Sequence, residues 1–141
     1  MTEQPQGLQS PHGDALQLEK LEQANSHAKV AVPYSKHLVG DPETGVIHGG
    51  VITTLLDTAC GMAVRSDIEL SEELAIATLD LRINYMRSAV PGETIYAEAE
   101  CYRRTQNVAF VRGTAYQQAN ERQVATCSAT FMLGTPNTRR E

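Results

Sequence analysis

The stretch GVIHGGVITTLLDTACGMAVR, residues 45–65, decides the fold because it reads as a loop that runs into one long apolar helix. Its entrance is His48-Gly49-Gly50, where two adjacent glycines allow the backbone to approach a neighbour or a ligand closely. Further along, Asp57 is the only acidic residue among apolar and small side chains. The faces of this helix therefore indicate how the rest of the chain is arranged.

At about 100° per residue, the apolar side chains gather on one arc of the helix, which predicts a face that packs into the core. This arc consists of Val51, Ile52, Leu55, Leu56, Ala59, Met62 and Ala63. The opposite arc lacks the Lys, Glu and Gln of an ordinary solvated face and consists of Thr53, Thr54, Asp57, Thr58, Gly61, Val64 and Arg65. Two interpretations stay open: a second packed face that holds Asp57 at a site, or a partly exposed face on which Asp57 is solvated. A packed face would favour a site, since lone acids are rarely fully buried without a partner.

Length and composition restrict the class of protein. With 141 residues, 41% hydrophobic and 21% charged, the chain fits one ordinary globular domain. The formal charge of −5 argues against a general nucleic-acid binder, which would carry a basic patch. No apolar run is long enough to span a membrane and the first 15 residues are polar, so we expect a cytoplasmic protein with neither a nucleic-acid nor a membrane partner.

The cysteines and histidines predict no metal site and no disulfide framework. Cys60, Cys101 and Cys127 are odd in number and show no C-x-x-C spacing, and His12, His27 and His37 show no metal-ligand spacing. Cys60 follows Asp57 by three residues, but a nucleophilic thiol would need a paired base, so we interpret Cys60 as a small buried hydrophobe.

We expect a loose tail over residues 1–13, one domain over residues 14–134 and a second tail over residues 135–141. Within the domain, Asp14 is predicted to cap a helix that continues to about Ala28, and a β segment is predicted from Lys29 to Leu38. Four further strands are predicted at Leu74–Ala89, Glu93–Arg104, Val108–Gln118 and Gln123–Leu133.

The first of these four strands alternates strictly in sequence. Leu79, Leu81, Ile83 and Tyr85 are predicted on one face, and Thr78, Asp80, Arg82 and Asn84 on the other. Five strands with one long helix favour an α+β fold in which an antiparallel sheet wraps around the helix. The faces that such a unit leaves uncovered predict a homodimer or a dimer of dimers.

Two blocks of sequence carry a resemblance to a known family. The first is GVIHGG at residues 45–50 with Leu56-Asp57-Thr58 and Gly61, and the second is TLDLRINYMRSA at residues 78–89 followed by Gly92-Glu93. With Asp57 nine residues after His48, the chain resembles the hotdog-fold acyl-CoA thioesterases of the PaaI-like, phenylacetate-degradation branch. The resemblance spans about residues 30–133. The family often has an asparagine before the Gly-x-x-His turn, whereas this chain has Asp41, Pro42 and Glu43 there.

The resemblance implies a hotdog dimer with active sites between the subunits. It implies that the N–H of Gly49 binds the thioester oxygen and that Asp57 of the partner subunit acts as nucleophile or general base. It also implies that the hydroxyl of Thr78 helps to hold the acid or its water. Physical chemistry agrees with these roles, because a helix N-terminus supplies free N–H groups and glycine permits close approach at Gly49 and Gly50.

Two assignments in this site keep an alternative. His48 either orients the thioester or only braces the loop as a cap. Arg87, Arg103 and Arg104 lie at or after predicted strand ends, where they either contact the phosphates of CoA or are plain surface charges.

The predicted function is hydrolysis of an acyl- or aroyl-CoA thioester, with no cofactor beyond the CoA of the substrate. The alternative is a non-catalytic acyl-CoA binding or sensing module of the same fold. A hotdog hydratase is the third hypothesis, although we expect that chemistry to place Asp and His about five residues apart.

Overall fold

The computed structural model describes residues 10–67, 70, 74–118 and 122–134, so the predicted tail at 135–141 and most of the tail at 1–13 lie outside the described residues. The elements in chain order are helix α1 (Pro11–Ala15), strands β1 (Glu19–Ala24) and β2 (His27–Val32), a 3₁₀ turn (Lys36–Leu38), strands β3 (Val39–Asp41) and β4 (Val46–Ile47), helix α2 (Gly49–Arg65), and strands β5 (Ile76–Tyr85), β6 (Ile95–Arg104), β7 (Val108–Gln117) and β8 (Arg122–Leu133). No helix in the described ranges has the length and apolar character that crossing a membrane requires.

A six-stranded antiparallel sheet forms one layer of the molecule, in the order β1-β2-β6-β7-β8-β5. Helix α2 packs against its concave face, and the side chains of Leu55, Leu56, Ala59 and Ala63 are completely buried there. We call these four residues the core face of α2. Small alanines at the facing sheet positions, such as Ala97 and Ala109, allow the helix to lie close to the strands. The predicted α+β architecture is confirmed, with one strand more than the sequence indicated.

The additional strand comes from the N-terminal segment, where the predicted helix from Asp14 to Ala28 is wrong. Only Pro11–Ala15 is helical, and its cap is Ser10, whose Oγ accepts the N–H of Gly13 at 3.0 Å. The chain then forms a β1–β2 hairpin around Asn25 and Ser26, whose φ angles are +56° and +66°. Left-handed residues at both central positions are typical of the two-residue turn that joins antiparallel strands.

The alternation predicted for β5 is wrong at its start, because the strand contains a bulge. Thr78 pairs with Phe131 and Asp80 pairs with the next residue of β8, Thr130, so that Leu79 is the extra residue. A bulge of this kind shifts the inward and outward positions by one. Thr78 therefore faces α2 together with Leu81, and Leu79 is 49% exposed.

The two arcs predicted for α2 also differ from the structure in detail. Val64 and Cys60 are fully buried, whereas Met62 is only half-buried. No residue between Val51 and Arg65 is exposed. The central strands of the sheet cover one side of the helix, and β5 and β8 cover the other side. The helix therefore has a second packed face.

Candidate active site

The turn that enters α2 is held by its own histidine. His48 is the N-cap of the helix, and its Nδ1 accepts the N–H of Gly50 at 2.8 Å. Its backbone N–H donates to the carbonyl of Leu38 at 2.9 Å, which ties the turn to the 3₁₀ segment. Because Nδ1 accepts, a neutral His48 ring carries its proton on Nε2. The predicted loop-bracing role is therefore present, and Nε2 is left for a second contact.

Three glycines in this turn are needed for different reasons. Gly45 has a φ of +79°, and its carbonyl accepts the hydroxyl of Tyr34 at 2.7 Å. A Cβ on Gly50 would lie 2.9 Å from Nδ1 of His48, so the cap excludes any side chain there. A Cβ on Gly49 would meet only a ring carbon of Tyr85 at 3.9 Å. The space in front of Gly49 is therefore open, and no contact within the chain excludes a side chain at this position.

The N–H of Gly49 is available to a ligand. Gly49 is exposed and is the first residue of α2, and the first N–H groups of a helix have no intrahelical acceptor. The helix dipole adds partial positive charge at this end. A carbonyl oxygen that develops negative charge would be stabilised here.

The carboxylate of Asp57 lies at the edge of a small pocket. It is half-buried, and its Oδ1 accepts the hydroxyl of Thr78 at 3.1 Å, a contact that the bulge in β5 makes possible. The pocket has a volume of about 360 Å³ and is lined by Gln23, Thr58, Gly61, Met62, Arg65, Ile76 and Phe131. Asp57 is thus half-buried and hydrogen-bonded rather than simply solvated, which favours the first of the two interpretations that the sequence left open.

The two parts of the site are separate within one chain. Gly49 and Asp57 are eight residues apart on α2, which corresponds to about 12 Å along the helix axis. One thioester group cannot contact both. The chain brings His48, Gly49 and Gly50 together at one end of α2, and Asp57 and Thr78 together near its middle.

The three predicted arginines also divide between two places. Arg87 is exposed just beyond the end of β5 that lies beside the glycine turn. Arg103 and Arg104 lie at the other end of the sheet, where β6 ends. Arg104 donates from Nε to Asp67 at 2.7 Å, while Arg103 is exposed with its guanidinium 5.9 Å from the ring centre of Phe110.

A residue that the sequence reasoning did not assign to the site is Tyr85. Its hydroxyl contacts Oγ1 of Thr53 and donates to the carbonyl of Gly49 at 3.3 Å. The alternation of β5 placed Tyr85 on the same face as Leu81 and Ile83, which was the available signal. The sequence alone does not show the strand register that places this face of β5 against the first turn of α2.

A second pocket lies on the other side of the glycine turn. It has a volume of about 380 Å³, with apolar walls from Leu16, Leu38, Val39 and Val51, and its rim is formed by His12, His37, His48, Gly50 and Thr54. Helix α1 closes one side, since His12 Nε2 lies 3.2 Å from Oγ1 of Thr54. Among the described residues, no group of three or more His, Cys, Asp or Glu side chains is arranged to hold a metal ion.

The thiol nearest Asp57 is not poised for chemistry. Cys60 is fully buried with its Sγ 3.6 Å from that of Cys127. The hydrogen bond to Cys127 and burial raise the pKa of Cys60 far above its ordinary value. The same contact lowers the pKa of Cys127, which is itself buried. Cys60 therefore stays a neutral thiol and packs as the sequence suggested.

Comparison with known proteins places this arrangement in a family. Residues 44–123 match the model of the Thioesterase superfamily. The medium/long-chain acyl-CoA thioesterase YigI of Escherichia coli is 31% identical over 137 residues, covering 88% of this chain and 86% of that protein. A crystal structure of a Pseudomonas aeruginosa protein has a TM-score of 0.76 at 42% identity, covering 86% of this chain and 88% of that one.

The fold itself is shared with more distant proteins. The PaaI protein of the Escherichia coli phenylacetic acid degradation operon has a TM-score of 0.77 at 19% identity, covering 88% of this chain and 84% of that one. The predicted resemblance to the hotdog-fold thioesterases is confirmed, and the shared fold agrees with the PaaI-like branch that the sequence indicates. With its single long helix in a curved antiparallel sheet and its match over most of the domain, this chain belongs to the Thioesterase superfamily and is a hotdog-fold thioester hydrolase.

Proposed function

We propose that this protein hydrolyses acyl-CoA thioesters at a site formed by two copies of the chain. The observation that carries the proposal is the separation of two incomplete half-sites: an unused N–H at Gly49 and a carboxylate at Asp57, about 12 Å apart along one helix. The similarity to YigI, a medium/long-chain acyl-CoA thioesterase, supports CoA esters of aliphatic acids as the substrate class.

The position of β5 explains how a second copy would complete the site. β5 is the last strand of the sheet order, and Thr78, whose hydroxyl binds Asp57, is still exposed in the single chain. A two-fold antiparallel pairing of two β5 edges would bring the Tyr85 end of one strand to the Ile76 end of the other. Gly49 of one copy and Asp57 of the next would then face the same space.

The mechanism follows from the two half-sites. The thioester oxygen accepts the N–H of Gly49 at the positive end of α2, which stabilises the charge that develops during attack. Asp57 of the other copy either attacks the carbonyl carbon or removes a proton from the attacking water. In both routes the C–S bond breaks and CoA leaves as the thiol, with the proton that the attacking water gives up. Where Asp57 attacks, it first forms a mixed anhydride, which that water then hydrolyses to release the acid and restore the carboxylate. Thr78 keeps the carboxylate oriented, and His48 holds the turn while offering Nε2 to the substrate.

Arg87 fits the nucleotide end of this arrangement. In the paired dimer, Arg87 would lie at the mouth of the site, where its guanidinium group can bind the phosphates of CoA. Arg103 does not fit this role, because it pairs with Phe110 on the face of the sheet turned away from α2 and lies three strands from β5. Gly50 contributes by leaving room for the His48 cap, and Arg104 contributes less because its Nε is engaged by Asp67. The reaction as written needs no cofactor besides the CoA of the substrate.

The test is release of free thiol from a panel of acyl- and aroyl-CoA esters by the wild type and by Asp57→Asn. We expect the wild type to turn over aliphatic esters and Asp57→Asn to lose a factor of about 10²–10⁴ in kcat, which is what general acid–base groups supply. The matched control is Asp80→Asn, an exposed acid on the opposite face of β5, which should keep wild-type turnover.

Two results would contradict the proposal. Folded Asp57→Asn with wild-type turnover would remove the assigned role of the carboxylate. Saturable binding of CoA esters by the wild type without thiol release would instead identify a silent binding module.

A further inference from the structure

Tyr85 occupies an unusual position for a tyrosine at the end of an edge strand. Its side chain is 53% exposed, yet the ring is not simply solvated. A Cβ built on Gly49 would lie 3.9 Å from one ring carbon of Tyr85. The Tyr85 hydroxyl contacts both Thr53 and the carbonyl of Gly49. An exposed tyrosine that is fixed on the first turn of the catalytic helix requires an explanation beyond packing.

The hydroxyls of Tyr85 and Thr53 form a triangle with the carbonyl oxygen of Gly49. Thr53 Oγ1 and Tyr85 Oη each lie 3.3 Å from that oxygen, and they contact each other. Each hydroxyl has one hydrogen. Because only one hydrogen can lie between the two hydroxyls, the other is directed to the carbonyl of Gly49. The carbonyl therefore receives a side-chain hydrogen bond in either arrangement.

The same peptide unit is held at its other end by His48. The carbonyl of Gly49 and the N–H of Gly50 belong to one peptide plane, and that N–H donates to His48 Nδ1 at 2.8 Å. A Gly-Gly pair has the widest backbone freedom of any dipeptide and loses the most entropy on being fixed. The carbonyl of Gly49 also accepts an intrahelical N–H of α2. The side-chain contacts at both ends of the plane add to this bond and further restrict the rotation that would turn the neighbouring N–H of Gly49 away from a ligand.

We propose that Tyr85 is a positioning residue that, with Thr53 and His48, locks the Gly49-Gly50 peptide and thereby keeps the N–H of Gly49 aimed at the thioester oxygen. The inference rests on the proposed function for its catalytic consequence. Tyr85 acts through the glycine turn of its own chain and does not itself donate to the substrate oxygen.

The test begins with Tyr85→Phe, which keeps the ring on Gly49 and removes only the hydroxyl. Because Thr53 still donates to the carbonyl of Gly49, Tyr85→Phe alone should keep kcat for an acyl-CoA ester within about twofold of the wild type, whereas Tyr85→Phe/Thr53→Val should lower it about three- to tenfold, the effect of one neutral hydrogen bond, with KM and thermal stability almost unchanged. Thr53→Val should resemble Tyr85→Phe, and the double variant should lose more than the product of the two single losses because either hydroxyl alone can donate to the carbonyl of Gly49. Tyr102→Phe is the matched control: Tyr102 on β6 is 48% exposed with its ring against Arg112 of β7, and its variant should turn over like the wild type.

A second readout does not depend on activity. In ¹⁵N-labelled protein, the amide of Gly50 should exchange its hydrogen faster in the double variant Tyr85→Phe/Thr53→Val than in the wild type, in either single variant or in Tyr102→Phe, because only the double variant removes both side-chain donors to the carbonyl of Gly49. Unchanged exchange at Gly50 would overturn the proposal, even if the protein proved to hydrolyse nothing. Wild-type kcat in the double variant, a raised KM with unchanged kcat there, or a Thr53→Val variant that already shows the whole loss would also overturn it. Failure of Asp57→Asn to lose turnover would contradict the proposed function but would leave the exchange experiment decisive for Tyr85.

Discussion

The two packed sides of α2 differ in what they contact and in how completely they are covered. The core face, Leu55, Leu56, Ala59 and Ala63, has no exposed surface and contacts apolar strand residues. The other side has a stripe at four-residue spacing, Gly49, Thr53, Asp57 and Gly61, which we call the site stripe. Its members contact Tyr85, Thr78 and Phe131 and stay half-buried or exposed. One helix therefore carries the buried core on one side and the proposed site on the other, and substitutions on the two sides should affect different measurements.

The largest expected effect is on the core face. Leu55→Ala removes a completely buried side chain and should lower the free energy of unfolding by about 2–5 kcal/mol, through lost burial and the cavity left behind. Turnover per folded molecule should stay near that of the wild type. Denaturant unfolding and kcat measured on the same preparation check both statements. A Leu55→Ala protein that is as stable as the wild type but catalytically slow would remove the distinction between the two sides.

A second effect concerns the entrance to the site stripe. Gly50→Ala introduces a Cβ that would lie 2.9 Å from Nδ1 of His48, so the cap must move and the N–H of Gly49 moves with it. We expect kcat to fall by about 10²-fold, comparable to the loss of an oxyanion donor. Gly92→Ala is the control for the loss of a glycine away from the site. Gly92 has a φ of +89° and open space around it, so this substitution should lower the free energy of unfolding and leave kcat unchanged.

A third effect concerns the support of Asp57. Thr78→Val keeps the shape of the side chain but removes its hydrogen bond to the carboxylate, and we expect a loss of about tenfold in kcat. Thr78→Ser retains the hydroxyl and should recover most of the rate. Equal activity of the valine and serine variants would show that the hydroxyl contributes nothing to catalysis.

The smallest effect is expected at the buried thiols. Because the pKa of Cys60 is raised, its neutral form prevails at pH 8, and the thiolate that alkylating reagents require is nearly absent. Iodoacetamide at pH 8 should leave Cys60 unmodified and turnover unchanged until the protein is unfolded. Mass spectrometry of the labelled peptides provides the measurement, and rapid labelling of Cys60 in the native protein would contradict the assignment.

The site stripe and core face could be predicted from the sequence because α2 has a strong 3.6-residue period and a glycine entrance of recognisable spacing. The β1–β2 hairpin could not be predicted, because its turn uses Asn25 and Ser26 in left-handed conformations without a glycine. Leu18 and Leu21 also fit a helical spacing, although only Leu18 is buried. The local sequence therefore fits both a helix and a strand. The segment forms a hairpin of two strands because β2 pairs with β6 and β1 joins the sheet through β2.

The contact between Thr78 and Asp57 was expected from the family resemblance, but the alternation of β5 predicted the opposite face for Thr78. The bulge at Leu79 resolves this conflict, and nothing in the local sequence marks it. Tyr85 was on the correct face, but its contacts with Gly49 and Thr53 depend on where the strand ends against the helix. Such contacts are set by register between distant segments, which a single sequence does not encode locally.

The bulges also have a consequence for solubility. Both outermost strands of the sheet are irregular: β5 between Thr78 and Asp80, and β1 between Lys20 and Glu22. Irregular edges are poor templates for endless strand addition, since the local twist breaks the row of donors and acceptors. In the proposed dimer, the two-fold pairing would use up the β5 edge of both copies. The charged and irregular hairpin at the opposite edge would discourage a third copy from joining, which would protect this protein from forming fibres.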